Sequence, residues 1–341
     1  MMMKHKHILV FNGINKSYFK YTYKFGSTDG VELIICKNGF QITAELTNMY
    51  DKDEMLSGNT YLFPDAIRKA LLIYLLTYSK GLQIKSITCK IDDEKDTTVF
   101  DSDPEPPIYS MINGDLVREL PEVFINESVI EYLLNTPKSK YDRRIASLFA
   151  FLTSKSKIYE TERFIYLWTS FNGIYSWLST YIAEANGVGR YRKEYKQILG
   201  IQNFLSIGSE TIVEGDKTRI ANSVISILKN YSVSEANRSF FLQEDIAKSI
   251  EDKLQKEDGN IYNLSAYGYL ITQLSYYFRC KIVHGSKPML LFAYADDSEL
   301  HCLQILNELL EEFIDGFLPK CFDNEYIHNT LIPIVQTITL K

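Results

Sequence analysis

The stretch YYFRCKIVHGSKP, residues 276–288, contains the side chains whose types and spacing best fit chemistry in this chain. Arg279 and His284 stand five residues apart in it, just before Gly285 and Pro288. Histidine titrates near neutrality and can both take up and release a proton, while a guanidinium group offers a fork of donors to an anionic oxygen. The pair therefore predicts acid–base chemistry beside a developing negative charge.

The same residues also have an ordinary structural interpretation. Cations such as Arg279 and Lys281 are common near helix C-termini because they complement the helix dipole, and a residue such as His284 often precedes a terminal glycine. Residues five apart on a regular helix point about 140° away from each other. Arg279 and His284 therefore meet only if the helix end is distorted or if a second copy of the chain supplies the partner group.

An aromatic segment earlier in the chain, ERFIYLWTSFNGIYSWLSTYI, has apolar residues at intervals of three and four, which predicts a long core helix. Asn172 lies at the edge of its apolar stripe, where a polar side chain either hydrogen-bonds a site or touches solvent. Trp177 lies off the stripe, a position compatible with an interface. The stripe itself consists of Phe164, Leu167, Trp168, Phe171, Ile174, Tyr175 and Leu178.

This aromatic helix, followed much later by a helix ending in R-x-x-x-x-H-G, resembles the HEPN superfamily, whose best known members are RNA-cleaving toxins and defence ribonucleases. The resemblance extends over about residues 140–320. The chain differs from the family pattern at Cys280, where members often have a polar residue, and at Asn172, where many have an acidic one. The matching positions are Trp168, Phe171, Asn172 and Tyr175, together with Arg279 to His284.

The resemblance implies a metal-independent endoribonuclease, without a cofactor, that serves prokaryotic defence or acts as a toxin. His284 would be the acid–base residue, Arg279 would stabilise the phosphorane, and Asn172 would orient them. It also implies a homodimer formed through the helical domain, with the motifs meeting at the interface. The alternative is a non-catalytic HEPN-like module that binds RNA, a nucleotide or a protein, in which Cys280 and the missing acidic residue mark lost chemistry.

A basic stretch, GRYRKEYK, occupies residues 189–196. Its cations alternate with Tyr191 and Tyr195, a combination that suits contact with a phosphate backbone and stacking on bases. A solvated helix face is the more common explanation of such a stretch. The candidate RNA-binding residues are Arg190, Arg192, Lys193 and Lys196, with Lys281 added from the motif helix.

Composition narrows the function classes further. The 37 Lys and Arg against 43 Asp and Glu give a net charge of −6, so any site for a polyanion must be local. Five cysteines, an odd number without zinc-ligand spacing, predict a reduced, cytoplasmic location without structural zinc. The apolar run near the N-terminus is too short for a signal peptide, and the most apolar helix is too short and too charged for a membrane span.

The chain is expected to fold as an α+β N-terminal domain followed by an all-α HEPN-like helical bundle. The boundaries are 1–107 for a recognition or sensor domain that binds a regulatory protein or ligand, 108–139 for a linker and connecting helix, and 140–341 for the helical domain. The first boundary rests on the acidic, Pro-rich run DDEKDTTVFDSDPEPP. His5 and His7 are expected at a frayed terminus, without a chemical role.

Within the first domain, four strands are predicted between residues 7 and 47, followed by an amphipathic helix at FPDAIRKALLIYLLTYSKG and a strand at LQIKSITCKI. The dipeptides Asn12-Gly13, Asp29-Gly30 and Asn38-Gly39 are expected to form hairpin turns. Other chemistries find little support, because the glycine-rich stretches lack a Walker-type Gly-Lys-Ser/Thr ending and the paired carboxylates occur beside lysines or on amphipathic helices.

Overall fold

The computed structural model describes residues 3–26, 28–57, 61–78, 81–99, 127–137, 140–208, 268, 271, 272, 274–276, 278, 279, 282 and 297–340. The chain forms two compact units, Met1–Tyr141 and Asp142–Lys341. The first contains an antiparallel sheet with helices, and the described part of the second is largely helical. An α+β region followed by a helical one is thus confirmed.

The first unit is built on a six-stranded sheet in the order β2-β3-β4-β1-β5-β6, in which all neighbours are antiparallel. Alternation places Leu9 and Phe11 in the core while Ile8 and Val10 are half-buried on the other face. The strands are β1 (His5–Phe11), β2 (Tyr18–Phe25), β3 (Thr28–Cys36), β4 (Gly39–Leu46), β5 (Ser86–Ile91) and β6 (Glu94–Val99).

Three helices complete the first unit: α1 (Lys52–Ser57), α2 (Leu62–Tyr78) and α3 (Glu127–Asn135). Helix α2 packs against β3 and β4, and α3 packs against α2 and the edge strand β2. Helix α3 lies in the range predicted as linker and connecting helix. Lys69 Nζ ties the two helices together, because it donates to the Leu134 carbonyl at 2.8 Å and lies 2.9 Å from Asp65 Oδ2.

The turn predictions were partly wrong. Asp29-Gly30 lies inside β3, and the chain reverses instead at Gly26, whose φ of +58° suits glycine. Asn12-Gly13 joins no hairpin, because β1 pairs with β4 and β5 rather than with β2. Gly39 opens β4, where a Cβ atom would stand 1.9 Å from the Phe11 carbonyl oxygen.

Strand β6 was not predicted, since its sequence EKDTTV was interpreted as part of the acidic boundary. It pairs with β5 through a tight turn in which Asp92 has a φ of +49°. The strand has no apolar alternation because it is a sheet edge with exposed side chains. Because edge position depends on the topology of the whole sheet, the sequence pattern of these residues alone did not indicate a strand.

The N-terminus is an ordered part of the sheet, contrary to the expectation that His5 and His7 fray. His7 is fully buried in β1; its Nε2 accepts the Tyr50 N–H at 3.0 Å, and its Nδ1 lies 3.1 Å from the His5 carbonyl oxygen. This arrangement requires a neutral ring with the proton on Nδ1. Burial, as the largest cause, lowers the pKa of His7 below its ordinary value.

The second unit surrounds one long helix. Helix α5 packs against α4, α6, α7 and α9, and its predicted apolar stripe is buried. The described residues between positions 268 and 282, which we call the Arg279 segment, have helical backbone. The elements are α4 (Arg143–Lys155), α5 (Glu160–Ala185), α6 (Glu194–Gly208), α7 (Asp297–Phe317), a 3-10 turn (Pro319–Phe322), α8 (Asn324–Tyr326), a π turn (Ile327–Leu331) and α9 (Ile332–Gln336).

The crossing of α4 and α5 depends on Gly173. A Cβ atom there would stand 2.0 Å from Ser147 Oγ and 2.8 Å from the Arg143 carbonyl oxygen. Near the N-terminal end of α5, Glu311 of α7 accepts from both Lys155 and Arg163. Helix α5 is therefore fixed against its neighbours along its length.

Trp177 does not lie on an open surface. It is buried, and the Arg144 guanidinium carbon lies 5.2 Å from the centre of its ring. Arg144 also donates to Asp142 and to the Cys321 carbonyl oxygen at 2.8 Å, so it joins α4 to the 3-10 turn. Among the helices of the described residues, none combines the length and apolarity needed to cross a bilayer.

Candidate active site

The candidate site lies along the face of α5 that packs against α6. Asn172, Tyr175 and Ser176 share this face because residues three and four apart lie on one side of a helix. Glu194 and Gln197 face them from the first turns of α6, again three residues apart. Two helices thus bring five polar side chains together beside the aromatic core.

Glu194 connects this face to the predicted motif. Its Oε1 accepts the Tyr175 hydroxyl at 2.9 Å, and its Oε2 lies 3.6 Å from Arg279 Nη2. The second distance is that of an ion pair and exceeds a direct hydrogen bond. Both charged side chains are partly exposed, so the contact lies at the edge of the core. One carboxylate therefore links α5, α6 and the Arg279 segment.

Tyr175 is a hydrogen-bond donor in this arrangement. Burial raises its pKa well above the ordinary tyrosine value, and the Glu194 carboxylate raises it further. Arg279 and Arg143 act in the opposite direction without reversing the shift. Since the phenol stays protonated near neutral pH, Tyr175 cannot serve as a general base there.

Asn172 belongs to a second set of polar contacts on the same face of α5. Its Oδ1 lies 3.1 Å from Ser176 Oγ, which is also 3.1 Å from Gln197 Oε1. A hydroxyl has one proton, so Ser176 donates to one of these two oxygens at a time. Gln197 Nε2 in turn donates to the Tyr191 carbonyl oxygen at 2.7 Å, which fixes the loop before α6.

The Arg279 segment is held against both long helices. Phe278 contacts Phe164 of α5 edge-on, with ring centres 6.1 Å apart. A Cβ atom on Gly268 would stand 2.9 Å from Leu205 Cβ of α6, so the glycine permits a close approach. Arg279 itself also lies near the Tyr276 ring, at 5.8 Å from its centre.

Two of the predicted catalytic residues lie within the described residues. Asn172 is on the α5 face that meets α6, where its amide oxygen lies near Ser176 Oγ, and Arg279 reaches the same face through Glu194. His284, Lys281 and Cys280 lie outside the described part of the chain, so the meeting of Arg279 and His284 stays a prediction. His301 lies on α7, and His328 is exposed.

The basic stretch precedes and enters the first turn of α6. Arg190, Arg192 and Lys193 are exposed, and Lys196 is half-buried. Their accessibility is compatible with contact to a phosphate backbone. Of the two tyrosines in this stretch, Tyr191 is 8% exposed and packs inward, whereas Tyr195 is 55% exposed, so only the Tyr195 ring is open to stacking on a base.

Sequence reasoning missed Glu194 and Arg143 as parts of this region, and it named Tyr175 as a family-pattern position without a polar role. Glu194 is the single acidic residue of the basic stretch, and it stands in the first turn of a helix, where a carboxylate suits the dipole. Its position as a lone carboxylate among these cations was the feature of the sequence that could have identified it. Tyr175 was interpreted as core, and its burial is correct, but its hydroxyl reaches the polar edge.

Within the described residues, no group of three or more His, Cys, Asp or Glu side chains comes together as a metal site. Searches against protein-family models, curated proteins and solved structures found no match. The function of this chain must therefore be inferred from its own residues.

Proposed function

We propose that the helical unit is a metal-independent endoribonuclease of the HEPN type, with Arg279, His284 and Asn172 as its site residues. The observation that supports it most is the joining of Arg279 to the α5–α6 face through Glu194. Arg279 and Asn172 are far apart in sequence, yet each belongs to a set of polar contacts on the α5 face that meets α6. An acidic group accompanies the arginine, although it comes from α6 rather than from the position of Asn172.

In the proposed reaction, His284 takes the proton of the ribose 2′-hydroxyl and returns a proton to the leaving 5′-oxygen. The Arg279 guanidinium stabilises the negative charge that grows on the phosphorane oxygens. Glu194 limits the orientations of that guanidinium, and Tyr175 donates a hydrogen bond that holds the carboxylate. Asn172 orients the site from the neighbouring turn of α5.

The first test is cleavage of a cellular RNA pool in EDTA by the wild type and by His284→Ala at equal folded concentration. We expect cleavage by the wild type and its loss in His284→Ala, while His328→Ala, an exposed histidine, cleaves normally. Arg279→Lys keeps the charge and removes the fork, so we expect it to lose most of the rate. Equal activity of His284→Ala and wild type would refute the proposal.

A homodimer is part of the proposal, because residues five apart on a regular helix diverge. Mixing Arg279→Ala with His284→Ala tests it directly. If Arg279 of one copy works with His284 of the other, mixed dimers contain one complete site and cleavage returns. If both residues act within one chain, the mixture stays inactive.

The second candidate function is RNA, nucleotide or protein binding without catalysis. It is favoured by the ion pair with Glu194, since an arginine held by a carboxylate is also a suitable phosphate anchor that does no chemistry. In that case RNA binds, Arg279→Ala weakens binding, and neither the wild type nor any mixture cleaves. The first unit would in either case recognise a regulatory protein or ligand.

A further inference from the structure

From Tyr191 into the first turn of α6, every third side chain turns inward and those between face outward. Tyr191, Glu194 and Gln197 turn inward: Glu194 accepts from Tyr175, and Gln197 donates to the Tyr191 carbonyl oxygen. The backbone N–H of Lys196 also donates to the Lys193 carbonyl oxygen at 3.1 Å. The backbone from Tyr191 to Gln197 is therefore held at several points.

The residues between these anchors face solvent. Arg192, Lys193 and Tyr195 are exposed, and Lys193 Nζ lies 5.9 Å from the centre of the Tyr195 ring. Because the backbone is already fixed, binding would have to order only the side chains. The start of α6 and the two residues before it thus present one aromatic face together with two cations.

This exposed group lies directly beside the candidate site. Tyr195 follows Glu194, and consecutive Cα atoms are about 3.8 Å apart. The Glu194 carboxylate lies 3.6 Å from the Arg279 guanidinium. Successive residues of a helix point about 100° apart, so the Tyr195 ring lies on the solvent side of the turn whose inner side holds the Glu194–Arg279 contact. A strand that crosses this turn from Arg279 would present a base to the ring.

We propose that Tyr195 is a base-stacking residue that makes the site selective for single-stranded RNA. An unpaired base stacks on the exposed face of the ring, and Arg192 and Lys193 contact the adjoining phosphates. A duplex hides its base faces, so it gains nothing from Tyr195. The choice of RNA rests on the proposed function, whereas the need for an unpaired base rests on the exposure of this ring.

The test is binding of a fluorescently labelled 12-nucleotide RNA by the full chain, measured by anisotropy. The RNA has 2′-O-methyl riboses, which block cleavage through the 2′-oxygen, and it is used both single-stranded and as a duplex. We expect Tyr195→Ala to weaken single-strand binding about tenfold, the size of one stacked base, and Tyr195→Phe to change it little. Tyr159→Ala, at a tyrosine 70% exposed before α5, is the matched control and should bind normally.

Salt dependence separates stacking from charge. Lys193→Ala should reduce the slope of log K against log salt by about 0.7, the value for one phosphate contact to a single strand. Tyr195→Ala should weaken binding while leaving that slope unchanged. An unchanged affinity of Tyr195→Ala, an equal loss on the duplex, an equal loss in Tyr195→Phe, or absence of single-strand binding by the wild type would each overturn the inference.

Failure of this inference can be told from failure of the proposed function by repeating the assay with ordinary RNA. If Tyr195 governs binding but the wild type does not cleave, the ribonuclease proposal fails and the stacking residue stands. If the wild type cleaves and Tyr195→Ala has the same KM for single strands, cleavage stands and the stacking residue fails.

Discussion

At the scale of a single residue, the Glu194 carboxylate lies against Arg279 and can either hold its guanidinium in a productive orientation or restrain it. Its partners are Tyr175 on one oxygen and Arg279 on the other. Removing the negative charge while keeping an acceptor for the phenol separates these contacts. Glu194→Gln does so with almost no change in volume.

We expect Glu194→Gln to lower kcat for RNA cleavage about tenfold, equivalent to ~1.4 kcal/mol, with little change in KM. In the proposed reaction, Arg279 would lose the charge that orients it, while the contacts that bind the strand would remain. The free energy of unfolding should change by less than about 1 kcal/mol, since partly exposed ion pairs contribute little. Single-turnover cleavage and urea unfolding measure the two quantities.

Glu184→Gln, at an exposed carboxylate near the end of α5, is the control for charge alone. An equal loss in that variant would attribute the effect to net charge rather than to orientation. Faster cleavage by Glu194→Gln would mean that the ion pair restrains Arg279 instead of positioning it.

His7 gives a pH prediction at the same scale. Its folded pKa is lowered from 6.5, so the unfolded chain binds a proton more readily than the folded one. The stability from the neutral ring is full above about pH 6.5 and is lost as pH falls through that value, by up to ~1.4 kcal/mol per pH unit. Hydrogen-exchange protection of β1, corrected for intrinsic rates, should therefore fall from pH 7.5 to pH 5.5.

His7→Gln should flatten that dependence because its amide does not titrate, whereas His328→Gln, at an exposed histidine, should retain it. Asp92 also contributes to the pH dependence, but in a separate window. The hydrogen bonds from His5 and from the Lys6 N–H lower its pKa below 3.8, so its contribution is lost only in more acidic solution. A pH 5.5 loss that persists in His7→Gln would contradict the assignment to His7.

At the scale of elements, the sequence predicts what local periodicity controls. The stripe of α5 and the amphipathic segment of α2 have clear three-and-four spacing, and both helices are present. Strand β6 and the Gly26 turn were not predicted, because edge position and strand pairing depend on residues elsewhere in the chain. The role of Glu194 was missed for a similar reason, since its partners Tyr175 and Arg279 come from other helices.

The close crossing of α4 and α5 should not tolerate a side chain at Gly173. Gly173→Ala places a methyl group against Ser147 Oγ and the Arg143 carbonyl oxygen, so the helices must separate or shift. We expect a loss of about 1–3 kcal/mol in the free energy of unfolding of the second unit. Fluorescence reports this unit selectively, because both tryptophans of the chain, Trp168 and Trp177, lie in it.

The matched control is Gly189→Ala, because a Cβ atom there meets nothing within 4 Å. It should unfold at the wild-type urea concentration, or slightly above it. Equal destabilisation by both substitutions would indicate a general cost of replacing glycine, and the close crossing would not be responsible.

At the scale of the whole molecule, the net charge requires that the proposed binding of nucleic acid be local. The net charge of −6 opposes general binding of polyanions, while the cations near the start of α6 form a local basic surface. The described sheet unit and the helical unit each have their own buried residues. Each is therefore expected to fold by itself, provided that its boundary is chosen correctly.

Helix α3 decides the boundary of the first unit. It supplies the Leu134 carbonyl that accepts from Lys69, a side chain 2% exposed, and it buries Val129, Ile130, Leu133 and Leu134. Fragment 1–107 loses all of these contacts, whereas fragment 1–141 keeps them. We expect the free energy of unfolding of 1–107 to be lower by on the order of 5 kcal/mol, summing lost burial and one hydrogen bond from a charged group.

Such a loss is comparable to the whole stability of a small domain, so 1–107 should show no cooperative urea transition by far-UV circular dichroism while 1–141 shows one. Leu133→Ala in 1–141 should cost about 2–5 kcal/mol. Glu131→Ala, on the exposed side of the same helix, should cost less than about 0.5 kcal/mol. Equal transitions in the two fragments would mean that the sheet and α2 suffice, and Lys69 would then have to find another partner or lose its proton, which its burial already favours.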